Sequence, residues 1–197
     1  MFRISRHLRE LLEPGSQRPL RPPPAPVVIW NLIRRCNLTC RHCYSISADR
    51  DFPDELDTGE VLEVMEDLHR FRVPVLIFSG GEPLLRPDLP EIAARARELG
   101  FFTTLSTNGT RISERNIGEL VEAGYDYVGI SLDGLGATHD RFRRREGAFE
   151  AALNGIRLCR DAGLKTGIRF TLTRDNAAEL PALLELMRNE RVDKFYL

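Results

Sequence analysis

The chain has 197 residues, 42% of them hydrophobic and 29% charged, which is enough for one globular domain with a sizeable core. Its 28 basic and 29 acidic side chains give a formal net charge of −1, so no overall basic field attracts nucleic acid or an anionic membrane. No apolar run reaches the roughly 20 residues that cross a bilayer, and the N-terminus has no apolar signal core, so we expect a cytoplasmic protein without a membrane span.

Residues 1–26 are predicted to form an amphipathic helix and a linker that precede the domain. Ile4, Leu8, Leu11 and Leu12 recur at the spacing of one helix face. The stretch PGSQRPLRPPPAP that follows contains six prolines and cannot continue a helix. We therefore place the compact domain at residues 27–197.

Strand and helix signals alternate from residue 27 onward. The predicted strands are short apolar runs that cover residues 27–33, 73–78, 101–106, 127–132, 165–173 and 194–197. The predicted helices lie between them, at residues 56–71, 86–100, 113–124, 147–163 and 177–190. This alternation favours parallel strands joined by right-handed crossovers. Six such units predict an α/β fold with an open or partial barrel, and a doubly wound sheet is the alternative.

Several residues mark the ends of the predicted helices. Asp57 and Glu60 have the spacing of a capping box at the start of the first helix. Asp88 is the predicted N-cap of the second helix, and Ser113 is predicted to begin the third. Pro181 places the start of the last helix close to itself, because proline is tolerated only in the first turn.

Four unusual segments each follow a different predicted strand. The cysteine loop, CNLTCRHCY at residues 36–44, follows the first strand, and SGGEP at 79–83 follows the second. STNG at 106–109 follows the third strand, and SLDG at 131–134 follows the fourth. Because the C-terminal ends of parallel strands share one edge, where α/β proteins build their sites, we expect these segments to converge there.

Three of the four cysteines, Cys36, Cys40 and Cys43, lie in the cysteine loop. A disulfide is disfavoured because a cytoplasmic chain keeps its thiols reduced. A cubane iron–sulfur cluster takes one thiolate per iron, so three cysteines would leave one iron open for a substrate or cofactor. A structural zinc site completed by His42 or a distant histidine is the alternative. Cys159 lies on the apolar stripe of a helix and is predicted to belong to the core.

The other rim segments also have ordinary explanations when they are considered alone. GGEP is compatible with a simple strand-to-helix turn, and STNG and SLDG with hydrogen-bonded turns that precede a helix cap. Arg169 lies within a mostly apolar predicted strand and could be an outward-facing residue of that strand. The position of these segments beside the cysteine loop is what favours a functional interpretation.

The cysteine spacing of CNLTCRHC, with three and then two intervening residues, resembles that of radical S-adenosylmethionine (radical SAM) enzymes. GGEP after the second strand and SLDG after the fourth are similar to motifs of the same family, and the resemblance covers residues 26–197. It implies a partial (β/α)6 barrel that ends in the sixth strand. It also implies an enzyme whose [4Fe–4S] cluster, held by Cys36, Cys40 and Cys43, cleaves S-adenosylmethionine to a 5′-deoxyadenosyl radical. It identifies no catalytic acid or base.

The same resemblance assigns contacts with S-adenosylmethionine to residues of the rim. Glu82 would accept a hydrogen bond from the methionyl ammonium, and Arg169 would pair with the carboxylate. Glycine would allow close approach of the backbone, and polar side chains would bind the ribose hydroxyls or the carboxylate. The predicted cofactor-binding residues are Gly80, Gly81, Glu82, Pro83, Asn108, Ser131, Asp133 and Arg169.

The flanking sequence resembles one branch of this family more closely. VVIWNLIRRCNLTCRHCYSISADRDFP and SGGEPLLRPD are similar to radical SAM enzymes of haem d1 biosynthesis. The resemblance implies a tetrapyrrole substrate, didecarboxysirohaem, from which two propionates are removed. Alternatives are a radical SAM enzyme of the alternative haem pathway, a peptide-modifying or maturation enzyme and, more distantly, a zinc-stabilised non-enzymatic module.

The branch also bears on domain organisation and partners. Its members carry a C-terminal extension with further cysteines for a second cluster, so we expect the radical SAM core at 27–197 to be incomplete at its C-terminus. A cluster that donates one electron must itself be reduced, which implies an electron donor such as flavodoxin or ferredoxin as a partner.

Overall fold

Six parallel strands form one sheet in the computed structural model, which describes residues 25–197. The predicted N-terminal helix and most of the proline-rich linker lie outside the described residues. Each strand begins near an apolar run that the sequence indicates. The strands are β1 Val27–Ile33, β2 Val75–Gly80, β3 Phe102–Thr107, β4 Tyr127–Ser131, β5 Thr166–Arg169 and β6 Lys194–Tyr196.

The spatial order of the strands is the same as their order in the chain, from β1 to β6. Every neighbouring pair is parallel. In a doubly wound sheet the strands are added first toward one edge and then, from an inner strand, toward the other. The sequential order found here excludes that alternative. The sheet does not close, because β1 and β6 each have one strand neighbour, and the predicted partial (β/α)6 barrel is confirmed.

Six α-helices connect these strands within residues 25–197. They are α1 Thr58–Arg70, α2 Leu89–Glu98, α3 Ile117–Ala123, α4 Ala137–Arg143, α5 Ala148–Asp161 and α6 Leu180–Asn189. Short 3-10 turns at Pro83–Leu85 and Ala177–Glu179 precede α2 and α6. Capping explains the start of α1, where the Asp57 side chain accepts from Glu60 N (2.9 Å) and the Glu60 side chain accepts from Asp57 N, as predicted.

The hydrophobic core lies between the helices and one face of the sheet. Val128 and Ile130 of β4 enter this core together with Ile156 and Cys159 of α5, which confirms the prediction for Cys159. Since successive side chains of a strand alternate, Gly129 and Ser131 point to the opposite face, which we call the inner face. The helices therefore cover one side of the sheet and leave the inner face for other contacts.

The helix predicted from Ser113 was wrong at its start, because α3 begins at Ile117. The side-chain oxygen of Asn116 accepts hydrogen bonds from Ser113 N (2.8 Å) and Ser113 Oγ (3.1 Å), and these bonds fold residues 113–116 into a turn. Asp88 occupies the N-cap position of α2 but makes no capping bond. Its carboxylate instead accepts from Arg86 Nε (2.8 Å) and Thr58 Oγ1 (2.7 Å).

Two predicted strands also differ in their limits. β2 starts at Val75 because Val73 N donates to Leu68 O at the end of α1 and Pro74 has no N–H to donate. β5 ends at Arg169, although the prediction continued to residue 173. The chain leaves the sheet there because Thr171 N donates to the Asp133 carboxylate rather than to a neighbouring strand. Arg169 consequently lies at the end of its strand and not in the middle.

Within residues 25–197, no helix has both the length and the apolar character that crossing a bilayer requires.

Candidate functional site

The cysteine loop leaves β1 at the C-terminal edge of the sheet, and its three cysteines are unpaired thiols. Cys36 is buried, Cys40 is half-buried and Cys43 is exposed. The sulfur of Cys36 lies 3.4 Å from Leu38 N and 3.9 Å from Asn108 Nδ2. N–H groups directed at sulfur are a recurring feature of protein iron–sulfur sites, where they tune the cluster.

The three thiols suit a cluster in which each thiolate binds a different iron. Within residues 25–197, no three His, Cys, Asp or Glu side chains lie close enough together to hold a single metal ion. A cubane does not require that convergence, since each thiolate binds a different iron. Burial raises the pKa of the Cys36 thiol to about 11, so a metal must displace its proton on binding.

Gly80 and Gly81 allow the end of β2 to lie directly against the start of the cysteine loop. A Cβ at Gly80 would lie 2.2 Å from Ile33 O, and a Cβ at Gly81 would lie 2.2 Å from Arg35 O. Gly81 N donates to Ile33 O (2.6 Å) across this contact. The two glycines thus fix the path of the loop, and their predicted approach to a bound ligand stays a prediction.

Glu82 is fully buried and joins the ends of β2 and β3. Its carboxylate accepts from Thr107 Oγ1 (2.7 Å), from Asn108 N (2.8 Å) and from Leu84 N (3.1 Å). Burial raises the pKa of this carboxyl, and the hydrogen bonds offset only part of that effect. Pro83 follows as a buried first residue of the 3-10 turn. Three donors leave part of the acceptor capacity of a carboxylate for a ligand.

Asn108 connects the end of β3 with the cysteine loop. Its side-chain N–H donates to Asn37 Oδ1 (3.0 Å), and its side-chain oxygen accepts from Thr110 N (2.9 Å). Asn37 in turn donates to Thr110 Oγ1 (2.9 Å). The predicted site residue Asn108 therefore holds the segment beside Cys36 in place, and the structure places STNG and the cysteine loop in contact.

Asp133 lies after β4 and is fully buried in a network of charged partners. Its carboxylate binds Arg143 and Thr171 N (2.8 Å) and lies 3.2 Å from His42 Nε2. Burial acts to raise the pKa of Asp133, but the hydrogen bond from His42 and the charge of Arg143 outweigh it, so that pKa lies below its ordinary value. His42, the alternative zinc ligand, thus faces Asp133.

Arg169 lies beside Ser131 on the inner face, because the two residues are partners in the β4–β5 register. Its side chain crosses Gly129, where a Cβ would lie 2.5 Å from Arg169 Nε. That Nε atom is buried and has no hydrogen-bond partner among the described residues. Burial lowers the pKa of the guanidinium from its ordinary value. An unpaired buried donor beside a hydroxyl at the strand ends fits an anionic group such as the S-adenosylmethionine carboxylate.

Two residues of this site, Arg143 and His139, were not predicted from the sequence, and neither was the helix α4 that carries them. Arg143 Nη1 lies 3.5 Å from Cys40 Sγ, and His139 Nδ1 accepts from Asp133 N (3.0 Å). Both are buried, and their spacing of four residues puts them on one helix face. This spacing in THDRFR was the available signal, and α4, with seven residues, was too short to show periodicity.

The profile of the Radical SAM superfamily matches residues 30–187. The chain is 55% identical over 197 residues, all of its length, to a Pre-heme d1 synthase of Dinoroseobacter shibae, of which it spans 49%. It is also 48% identical to an Fe-coproporphyrin III synthase of Methanosarcina barkeri over 169 residues. These residues make up 86% of this chain and 42% of that protein.

The fold is likewise similar to solved structures. Streptococcus suis SuiB bound to S-adenosylmethionine superposes with a TM-score of 0.73 at 19% identity, over 86% of this chain and 39% of that one. The chain spans about half the length of the two curated relatives, 49% and 42%. Family membership implies a [4Fe–4S] cluster and S-adenosylmethionine as cofactors. On the match of residues 30–187 and on these identities, the chain belongs to the radical SAM superfamily.

Proposed function

We propose that this chain forms the cofactor-binding core of a radical SAM enzyme that modifies a tetrapyrrole. The observation that carries the proposal is the position of three free thiols on one loop, at the same strand edge as Ser131 and Arg169. When bound, the cluster and S-adenosylmethionine supply one-electron cleavage of the sulfonium and an adenosyl radical that takes a hydrogen atom from substrate. An external electron donor such as flavodoxin or ferredoxin would supply the electron.

In this proposal the chain's residues bind and orient the cofactors. Cys36, Cys40 and Cys43 would each hold one iron and leave the fourth iron open. Arg169 would pair with the S-adenosylmethionine carboxylate through its unpaired Nε, with Ser131 as a neighbouring hydroxyl donor.

The remaining rim residues would act beside these contacts. Glu82 would accept from the methionyl ammonium with the capacity that its three protein donors leave free. Gly80, Gly81 and Pro83 would shape the edge on which the cofactor rests, and Asn108 and Asp133 would hold the surrounding segments.

Similarity to two tetrapyrrole enzymes supports the substrate class. The relatives that share 55% and 48% identity are named for pre-heme d1 and Fe-coproporphyrin III, both of which are tetrapyrroles. Within the class, didecarboxysirohaem with its propionate side chains is the proposed substrate, and the iron coproporphyrin of the alternative haem pathway is the second candidate.

The test is the formation of 5′-deoxyadenosine by anaerobically reconstituted protein with dithionite and S-adenosylmethionine. Didecarboxysirohaem, an iron coproporphyrin and an unrelated peptide are compared as additions. Faster formation with either tetrapyrrole and not with the peptide supports the proposal, and the tetrapyrrole that accelerates it identifies the branch. A protein with an intact cluster that responds to neither tetrapyrrole contradicts the substrate class.

A further inference from the structure

Arg143 is the last residue of α4, and its guanidinium reaches the cysteine loop. Nη1 lies 3.5 Å from Cys40 Sγ, while Nη2 pairs with the carboxylate of Asp133. The side chain is buried, with 8% of its surface exposed. One guanidinium thus contacts a predicted cluster ligand and a buried carboxylate through two different nitrogen atoms.

The end of α4 is fixed against the cysteine loop by further contacts. Phe142 O accepts a hydrogen bond from Arg41 N (2.9 Å), and the ring of Phe142 meets that of His42 edge-on with centroids 5.4 Å apart. Arg144 then adopts a left-handed conformation (φ 52°) that ends the helix. Because Arg41 and His42 flank Cys40 on the C-terminal side, these contacts hold the backbone that carries the second cysteine.

The guanidinium of Arg143 links two groups of different chemistry. Its Nη2 pairs with the Asp133 carboxylate and its Nη1 lies 3.5 Å from the Cys40 sulfur, so a positive charge that Asp133 holds in place contacts the sulfur. His42 Nε2 lies 3.2 Å from the same carboxylate. Among the described side chains, Arg143 is the donor that reaches Cys40 Sγ. A cation and an N–H directed at a ligand thiolate stabilise the more negative, reduced form of a cluster.

We propose that Arg143 is a positioning residue for the cluster. It holds Cys40 in place as a ligand, and its N–H and positive charge raise the reduction potential of the cluster. This inference rests on the proposed function, since it requires that Cys40 holds an iron. A different role, in which Arg143 only neutralises Asp133, requires the positive charge but not the second nitrogen that contacts Cys40. The potential of a variant without the charge therefore tests whether Arg143 acts on the cluster, and the stability of the cluster in a variant that keeps the charge tests whether the contact with Cys40 is needed.

The test is an anaerobic redox titration of the reconstituted cluster, followed by electron paramagnetic resonance without S-adenosylmethionine. Arg143→Gln is compared with Arg145→Gln, which removes the same charge from an exposed position two residues along the chain. We expect the cluster of R143Q to have a lower reduction potential than that of wild type, because the Cys40 sulfur loses a neighbouring cation and the Asp133 carboxylate loses its charge partner. R145Q should match wild type. Equal potentials for R143Q and R145Q would overturn the inference.

A second pair of variants covers the case in which R143Q does not fold. Arg143→Lys keeps the charge beside Asp133 but replaces the two-nitrogen contact with one ammonium, and Arg145→Lys is its control. We expect the cluster of R143K to be lost to an iron chelator several-fold faster than that of R145K, as measured by the decay of its visible absorbance. Equal half-lives overturn the inference. A wild-type chain that assembles no cluster contradicts the proposed function itself, which separates the two failures.

Discussion

Glu82 at the end of β2 accepts a hydrogen bond from the backbone N–H of Asn108 at the end of β3, with 2.8 Å between Oε2 and N. The contact is fully buried and lies between the segments GGEP and STNG. Glu82 N also donates to Arg35 O (2.9 Å), immediately before the cysteine loop. A single acidic residue therefore joins three of the four rim segments.

Replacement of Glu82 by alanine should destabilise the fold before any cofactor is added. The variant leaves Thr107 Oγ1, Asn108 N and Leu84 N without their acceptor, and buried unpaired donors cost about 1–3 kcal/mol each. We expect the free energy of unfolding, measured in urea, to fall by at least about 2 kcal/mol. The control is Glu114→Ala at an exposed position, which should stay within about 0.5 kcal/mol of wild type. Equal losses in both variants would refute this role of Glu82.

Replacing Gly81 by alanine should destabilise the fold much more than the same change at Gly118. Gly81→Ala directs a Cβ into the backbone oxygen of Arg35 at 2.2 Å, and neither backbone can move without displacing the loop. Gly118→Ala is the control, since nothing lies within 4 Å of its added Cβ and it is an exposed position in α3. We expect urea unfolding to show a loss of more than about 3 kcal/mol for G81A and a gain of about 0.5–1 kcal/mol for G118A. A well-folded G81A with wild-type stability would show that the close approach is wrong.

His139 should make the stability of the fold depend on pH. It is fully buried, and burial, followed by the charge of Arg143, lowers its pKa from 6.5 to about 4. The charges of Arg143, Asp133, Asp140 and His42 also act on this pKa, and those of the two aspartates act to raise it. Because the unfolded chain binds the proton first as pH falls, the stability from neutral His139 is complete above pH 6.5 and is lost toward pH 4.

The expected loss from this residue between pH 7 and pH 5 is about 2 kcal/mol. Urea unfolding of wild type and of His139→Asn at both pH values measures it, since asparagine can still accept from Asp133 N but does not titrate. The variant should lose less stability than wild type over this interval. An identical pH dependence for both proteins would mean that His139 does not titrate as described.

Arg169→Gln should weaken the binding of S-adenosylmethionine without preventing cluster assembly. The change removes the buried unpaired Nε and the charge that we assign to the carboxylate. Losing a hydrogen bond to a charged group costs about 1.5–3 kcal/mol, which is roughly a ten- to hundred-fold increase in Kd. Calorimetry on the reconstituted protein measures this, with Arg174→Gln at an exposed position as the control. An unchanged Kd for R169Q would remove Arg169 from the site.

The sequence was sufficient to predict a parallel α/β sheet and the rim segments, because both follow from local patterns. The periodicity alone left the strand order open between a partial barrel and a doubly wound sheet. Apolar runs and an alternation of strand and helix predict a parallel sheet, and the C-terminal ends of such strands share an edge. The structure places GGEP against the cysteine loop through Gly81 and Glu82, as that rule requires. The limits of several elements differ by a few residues, most clearly at β2, α3 and β5, and helix α4 was not predicted. At α3 and β5, side-chain hydrogen bonds compete with the regular backbone pattern. At β2, Pro74 and the backbone bond from Val73 to Leu68 delay the start of the strand.

Long-range pairing could not be predicted in the same way. Asp133 receives Arg143 from α4, His42 from the cysteine loop and the backbone of Thr171 after β5. No local pattern encodes which of the many arginines of the chain becomes buried. Glu82 illustrates the same limit, since its charge and position in GGEP favour a ligand contact while the structure also engages it with three protein donors.

The central claim is that Cys36, Cys40 and Cys43 hold a [4Fe–4S] cluster, and its most direct test is metal analysis with electron paramagnetic resonance of anaerobically prepared protein. We expect about four iron per chain in wild type and in Cys159→Ala, whose thiol lies in the core. Alanine at any one of the three loop cysteines should abolish the cubane signal. Stoichiometric zinc without bound iron, or a cubane that survives the loss of a loop cysteine, would contradict the claim.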